Sequence, residues 1–323
     1  MTRRYLVTGG AGFIGSNFIR HVLENEAGAQ ITNLDALTYA GVEATIDELN
    51  GLEGHTFVHG DIRDPELVET VVPGHDVVVN FAAESHVDRS ITGPVVFLET
   101  NVVGTGMVID AARRHGVPTF IQISTDEVYG SLESGFASEA APLVPSSPYS
   151  ASKAAADLLV SSYGVTYGYQ PIVTRCTNNY GPYQSPEKVI PLFVTNLIDG
   201  GKVPLYGDGG NERDWLHVDD HCAAIHLLVE AGVPGEIYNI GANAQITNID
   251  LTRSLLELMG ADESAIEFVT DRPGHDRRYA VDSSKMRALG WAPRHTLEER
   301  LADTVEWYRQ RQDWWRPLKA QPS

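Results

Sequence analysis

Short apolar and β-branched runs alternate with stretches of helical periodicity through the first half of the chain. The runs are Tyr5 to Thr8, Gln30 to Leu34, Thr56 to His59, Asp76 to Phe81, Thr119 to Ser124 and Pro171 to Arg175. Amphipathic stretches lie between them at Phe13 to Asn25, Pro65 to Val72, Val95 to His115 and Tyr149 to Tyr167. Strands spaced by helices predict an α/β fold built on a doubly wound parallel sheet of the Rossmann kind. The near-continuous runs Val77-Val78-Val79 and Phe120-Ile121-Gln122-Ile123 fit strands covered on both faces. A ligand is then expected at the carboxyl ends of the strands.

After Cys176 the alternation gives way to segments rich in Gly, Pro and Asn, such as Asn178 to Tyr183 and Gly207 to Asn211. Helices are predicted near Val189 to Gly200, Val218 to Ala231, Leu251 to Gly260 and Leu297 to Arg311. The reading is a dinucleotide-binding domain over 1–176 and a smaller α/β lobe for substrate over 177–323. A segment of about 213–241 is expected to return to the first domain, with Glu236 to Gly241 as a last strand.

The chain of 323 residues is long enough for a large core plus such a lobe, and its composition is that of an ordinary globular protein. Met1-Thr2-Arg3-Arg4 runs directly into the first strand, so no signal peptide is expected, and no segment reaches about 18 uninterrupted apolar residues. A cytoplasmic protein with no membrane partner is expected. Cys176 and Cys222 have neither metal-ligand spacing nor a disulfide framework, so no metal is expected. A formal net charge of −19 argues against nucleic acid as a partner. An anionic ligand would need local basic side chains or backbone N–H groups.

The first strand runs into Gly9-Gly10-Ala11-Gly12-Phe13-Ile14-Gly15, which opens a helix. Gly9, Gly12 and Gly15 permit a tight turn, close approach to a pyrophosphate and tight packing of helix on strand. Asp35, at the end of the second strand, is placed to accept hydrogen bonds from a ribose 2′-hydroxyl and would repel a 2′-phosphate. NAD is therefore expected as the cofactor. Asp61 after the third strand is placed either to bond the adenine amino group or to stand in solvent as a loop acid.

Candidate chemistry converges on Ser124-Thr125-Asp126-Glu127 and Tyr149-Ser150-Ala151-Ser152-Lys153. Tyr149 and Lys153, four apart on one helix, share a face. A tyrosine titrates near ~10, so a base working near neutral pH needs a neighbouring cation to lower its pKa. Tyr149 would take a hydroxyl proton, Lys153 would hold the phenolate and the nicotinamide ribose, and Thr125 would orient the substrate hydroxyl. The adjacent acids Asp126 and Glu127 point to chemistry beyond one alcohol oxidation. Two close carboxyls favour one protonated and one ionised, because ionising both is costly.

These motifs, with Ala82 to Ser90, Asn178 to Gln184, Pro186-Glu187-Lys188, Arg213-Asp214-Trp215 and Asp271 to Asp276, resemble the extended short-chain dehydrogenase/reductases and, among them, the sugar-nucleotide 4,6-dehydratases. The resemblance covers essentially the whole chain. It implies oxidation at sugar C4, removal of the C5 proton by Glu127, protonation by Asp126 of the C6 hydroxyl leaving as water, and delivery of the hydride to C6. The cofactor would be tightly bound and regenerated each turnover. The substrate implied is a nucleoside-diphosphate hexose, dTDP-glucose foremost, and a homodimer is implied through Val95 to His115 and Tyr149 to Tyr167. By the same resemblance Phe13, Ile14, Ile62 and Ala82 join the cofactor site. Ser85, Asn178, Glu187 and Lys188 would meet the sugar and diphosphate, Tyr206 would stack on the base, and Arg213, Asn248, Arg272 and His275 would hold the diphosphate. Glu84 and His86 are placed to line the site or to serve structure. Trp307, Trp314 and Trp315 fit packing. Two alternatives stand: an epimerase or decarboxylase on the same scaffold, which the pair Asp126 and Glu127 disfavours, and a catalytically silent NAD-binding protein, which Thr125, Tyr149 and Lys153 together disfavour.

Overall fold

A computed structural model describes residues 2–320, so Met1 and residues 321–323 of the two expected domains lie outside the described residues. The first half runs β1 (Arg4–Thr8), α1 (Phe13–Asn25), β2 (Gln30–Asp35), α2 (Glu43–Leu49), β3 (His55–His59), α3 (Pro65–Val71) and β4 (Val77–Asn80). Then come α4 (Val87–Thr92), α5 (Pro94–Leu98), α6 (Thr105–Arg114), β5 (Thr119–Thr125), α7 (Pro148–Tyr167) and β6 (Ile172–Cys176). The rest comprises β7 (Asn178–Tyr180), α8 (Val189–Ile198), β8 (Val203–Tyr206), β9 (Glu212–His217), α9 (Val218–Ala231) and β10 (Ile237–Ile240). It ends with β11 (Gln245–Thr247), α10 (Asn248–Met259), β12 (Ile266–Val269), α11 (Ser284–Ala288), α12 (Leu297–Gln310) and α13 (Gln312–Lys319).

Seven parallel strands form the main sheet in the order β10-β6-β5-β4-β1-β2-β3. Strand order reverses at β1 and β4, which opens a crevice beyond their carboxyl ends. Alternate residues feed two cores. Tyr5, Val7, Val77, Val79, Ile121 and Ile123 pack with α1 and α9 on one face, while Leu6, Val78, Phe120 and Val173 pack with α3, α6 and α7 on the other. Apolar residues at both parities produce the continuous runs noted in the sequence.

Of the segment 213–241, α9 packs against α1 and β10 extends the main sheet, whereas β9 joins a separate three-stranded sheet, β11-β9-β7. The remaining lobe has its own core of Phe193, Trp215, Leu255, Tyr308, Trp314 and Trp315, so the late tryptophans serve packing. Residues Pro94–Arg114 form one continuous rod of 21 residues with a π-helical turn at Glu99–Gly104. An 18-residue window of the rod has a mean hydropathy of 1.4, apolar enough by length and composition to cross a membrane, although Glu99, Asn101 and Asp110 interrupt the apolar run. One side of it is built into the fold instead: Phe97, Asn101, Thr105, Val108 and Ile109 are buried, and the rod packs along α7.

Candidate active site

The glycine loop lies where β1 and β4 end side by side. Gly9 has φ +73°, and a Cβ there would come 2.7 Å from the Ala82 nitrogen, so no other residue fits. Gly12 is different: a Cβ there would meet only the Gly9 and Ala40 carbonyls, at 3.3 and 3.9 Å, which leaves its other side open to the cleft. Asp35 braces this loop, its Oδ2 accepting from Ala11 N at 2.9 Å and its Oδ1 from Leu37 N at 2.8 Å. Burial raises the Asp35 pKa, and the two N–H donors oppose the rise.

A cavity of about 530 Å³ is lined by Gly12, Asp35, Asp61, Ile62, Ala82 and Glu84 among others. Asp61 is not a free loop acid: Arg63 grips it through Nε at 3.0 Å and Nη2 at 2.6 Å and lowers its pKa. Continuous with this cavity through Gly12 and Ala40 is a cleft of about 1700 Å³, lined by Phe13, Ile14, Gly15, Thr125, Glu127, Tyr149 and Lys153. The open face of Gly12, the Asp35 carboxylate and the N-terminus of α1 fit NAD.

Local sequence sets the reacting groups. A capping box of Ser147 and Ser150, with Pro148 behind the cap, fixes the start of α7 and so places Tyr149 in its first turn. Lys153 follows one turn later and donates to the Ile123 carbonyl at 2.7 Å. No hydrogen bond joins Lys153 to the Tyr149 phenol among the described residues, and the bond to Ile123 uses one of the three donors of the ammonium. Burial pushes the phenol well above its ordinary range and Glu127 adds to this, while the Thr125 hydroxyl opposes it. Burial also lowers the Lys153 pKa, opposed by Asp157.

Thr125 ends β5 and caps the 3-10 turn Asp126–Tyr129, donating to Asp126 Oδ1 at 3.3 Å. Asp126 is almost wholly buried and its Oδ2 has no partner. Burial and then Glu127 drive its pKa well above the carboxylate range. Burial also raises Glu127, but Arg272, Arg213 and Lys188 pull it back. Asp126 is thus the better proton donor and Glu127 the better base.

On the substrate side, Ser85, Asn178, Glu187 and Lys188 line the main cleft. Lys188 Nζ donates to the Ser85 carbonyl at 3.1 Å, Glu187 pairs with Arg89 at 2.7 Å, and the buried Asn178 Oδ1 has no partner. Glu84 borders the smaller cavity, and His86 lies 3.8 Å from Glu187. Tyr206, Arg272 and His275 gather around Asp88 beyond the rim: Tyr206 Oη lies 3.4 Å and Arg272 Nη1 3.6 Å from it, and the Tyr206 and His275 rings meet edge-on. Asn248 opens α10 and binds Asn211 O through its backbone N–H. Arg213 is buried, donates to the Glu212 and Asp276 carbonyls at 2.8 Å each, and stacks on Tyr279. Its guanidinium braces that segment, and it reaches the site through its charge beside Glu127.

Two contributors escape a reading of the sequence. Tyr39 Oη accepts from the N–H groups of both Ser85 and His86 at 3.2 Å, and the Arg89 guanidinium lies 4.0 Å above its ring. Asn101, in the π-helical turn, accepts from Glu84 N at 2.8 Å and donates to Glu84 O at 3.0 Å and Ser152 Oγ at 2.8 Å. The signal for Tyr39 was an aromatic residue set between Asp35 and a glycine; nothing in the periodicity marks Asn101.

A glycine-looped parallel sheet with Thr125, Tyr149 and Lys153 at one end defines an NAD-dependent short-chain dehydrogenase/reductase of the extended kind. Residues 6–304 match the family model described as GDP-mannose 4,6 dehydratase. The dTDP-glucose 4,6-dehydratase of Streptomyces antibioticus is 54% identical over 98% of this chain and 96% of its own length. That of Streptomyces griseus is 53% identical over 98% of both chains. The crystal structure of DesIV, the dTDP-glucose 4,6-dehydratase of Streptomyces venezuelae with NAD and TYD bound, superposes with a TM-score of 0.95 at 52% identity, covering 98% of this chain and 99% of that one. The chain belongs to the dTDP-glucose 4,6-dehydratase family of NAD-dependent hydro-lyases.

Proposed function

We propose that this chain converts dTDP-glucose to dTDP-4-keto-6-deoxyglucose and water, with the residues of the cleft in the following roles. Bound NAD supplies a reversible hydride acceptor, filled from sugar C4 and emptied at C6, so none is consumed. Tyr149 takes the C4 hydroxyl proton while Thr125 orients that hydroxyl, and Lys153 keeps a positive charge behind the phenol. The new C4 ketone acidifies the C5 proton, because the carbanion delocalises into it. Glu127 removes that proton, Asp126 protonates the departing C6 hydroxyl, and Glu127 afterwards returns a proton to C5.

The observation that carries this reading is the adjacent pair of acids, unequal in proton affinity, at the end of β5 beside Thr125. Epimerisation at C4 needs no acid for a departing C6 hydroxyl. Ser85, Asn178, Glu187 and Lys188 hold the sugar and diphosphate, with Arg272, His275, Asn248 and Tyr206 on the nucleotide side. The enzyme works in the cytoplasm, where the buried thiols of Cys176 and Cys222 stay reduced.

It also works as a homodimer. Val95, Leu98 and Val103 on the long rod and Leu158 and Val165 on α7 are exposed, Val165 at 93%, and α5 packs against α7. A second copy covers this apolar face. The activity test is direct: purified protein given dTDP-glucose should yield the alkaline ultraviolet chromophore of a 4-keto-6-deoxy sugar. Its absence with dTDP-, UDP-, GDP- and CDP-glucose alike would refute the assignment.

A further inference from the structure

Segment Ala36 to Val42 closes one side of the cofactor space: Ala36, Thr38, Ala40 and Gly41 line the smaller cavity, and Tyr39, Ala40 and Val42 the larger. It is tied to the glycine loop by the bond from Val42 N to Ala11 O, 3.2 Å. It then runs into α2, a helix of seven residues with no side-chain cap. So short a helix has little stability of its own and takes its position from what packs on it.

On one side Ile46 and Leu49 of α2 pack into the core beside α1, and on the other the C-terminal helix adds its own contacts. Trp314 Nε1 donates to Thr45 Oγ1 at 3.0 Å, with Trp314 3% and Thr45 1% exposed. One turn further on α2, Glu48 accepts from Tyr183 Oη at 2.6 Å and pairs with Arg20 at 3.1 Å and with Arg311. The Tyr183 ring lies under Arg20 at 4.0 Å and against Trp307 and Trp314. Val42 and Leu318 both pack on the C-terminal-lobe core, and Leu318 itself lines the main cleft with Gly12, Phe13 and Ala40.

We propose that α13 is a positioning element of the cofactor site: Trp314 through Thr45, and Leu318 in the cleft wall, hold segment 36–42 closed and set how long NAD stays bound. The lobe expected to serve only the sugar nucleotide thereby governs retention of the cofactor. Opening the site for exchange requires the α2 and α13 contacts to part.

The test is the rate at which purified holoenzyme loses bound NAD into cofactor-free buffer containing an NAD-trapping dehydrogenase. Trp314→Phe keeps the ring and removes the donor; Thr45→Val removes the acceptor. Each should speed release about fivefold, the worth of one buried hydrogen bond, and the double variant should be no faster than the quicker single. Leu318→Ala, which breaks no hydrogen bond, should also speed release, and added NAD should restore turnover in Trp314→Phe and Thr45→Val with KM for dTDP-glucose unchanged. Release at the wild-type rate in the three single variants overturns the proposal, as does a lowered melting temperature without faster release. No sugar nucleotide enters the release measurement, so its outcome is separate from that of the dehydratase assay.

Discussion

At Asp126 and Glu127, neighbours in sequence acquire different proton affinities from position alone. Asp126 turns inward beneath Thr125, where its second oxygen finds no partner, while Glu127 faces the cleft beneath three cationic side chains. The sequence shows that two acids follow Thr125, because identity and adjacency are read directly. It does not show which is more deeply buried, since that depends on Arg213, Lys188 and Arg272, which arrive from distant segments. If Glu127 is the C5 base, Glu127→Gln removes the proton acceptor with little change in shape. The variant should lose solvent-deuterium incorporation at C5 by at least ~100-fold, the usual scale of general base catalysis. Oxidation at C4, read as the absorbance of reduced nicotinamide in a single turnover, should persist. Unchanged deuterium incorporation would remove Glu127 from the role.

The long elements were legible because they repeat their pattern: α1 and α9 occupy the residues their periodicity predicts, and the sheet strands begin and end within two residues of expectation. Strands β7 and β11, three residues each, are too short to display alternation, and α13 carries Pro317, which reads as a helix stop. The π-helical turn was invisible for another reason. It alters hydrogen bonding without altering the apolar stripe, and its effect is to aim Asn101 at the backbone of Glu84 and at Ser152, beside Lys153. Asn101→Ala would leave the Glu84 N–H without its partner and the Ser152 hydroxyl without a donor, at a cost of about 1–3 kcal/mol. Thermal unfolding should register that loss, and kcat should fall with it because the segment bordering the cofactor cavity loses its anchor. A variant with wild-type melting and turnover would show the turn to be incidental.

Across the whole molecule, α9 and the segment after β6 are joined by His221, whose Nδ1 lies 2.9 Å from Asn179 Oδ1 while its Nε2 has no partner. Burial lowers its pKa to about 3 from 6.5. The unfolded chain therefore takes up a proton that the folded chain refuses, so the stability this residue provides is complete above pH 6.5 and is lost as pH falls toward 3. The stability difference between wild type and His221→Asn should accordingly shrink by ~1.4 kcal/mol per pH unit through that window. Denaturant titrations of both proteins at several pH values measure it; a difference independent of pH would mean that His221 is protonated in the fold.

The proposed assembly rests on the same separation of faces. The rod Pro94–Arg114 buries Asn101 and Thr105 toward the catalytic layer and leaves Val95, Leu98 and Val103 outward, next to the exposed Leu158 and Val165 of α7. Helix α7 thus buries Tyr149 and Lys153 and exposes Leu158 and Val165, and a net charge of −19 alone would keep two copies apart. In the proposed dimer apolar burial would have to exceed that repulsion, so charge placed on the face should shift the balance decisively. Leu158→Glu with Val165→Glu adds four carboxylates to a two-fold interface, two from each copy, without touching the cleft. Sedimentation equilibrium should find the wild type as a dimer and this variant as a monomer, and raising ionic strength should recover part of the dimer by screening. A wild-type protein that sediments as a monomer at micromolar concentration, or a variant that stays dimeric, would place the contact elsewhere. If separation of the copies also lowers kcat, the cause is loosening of α7, since Tyr149 and Lys153 lie on the helix that carries both exposed residues.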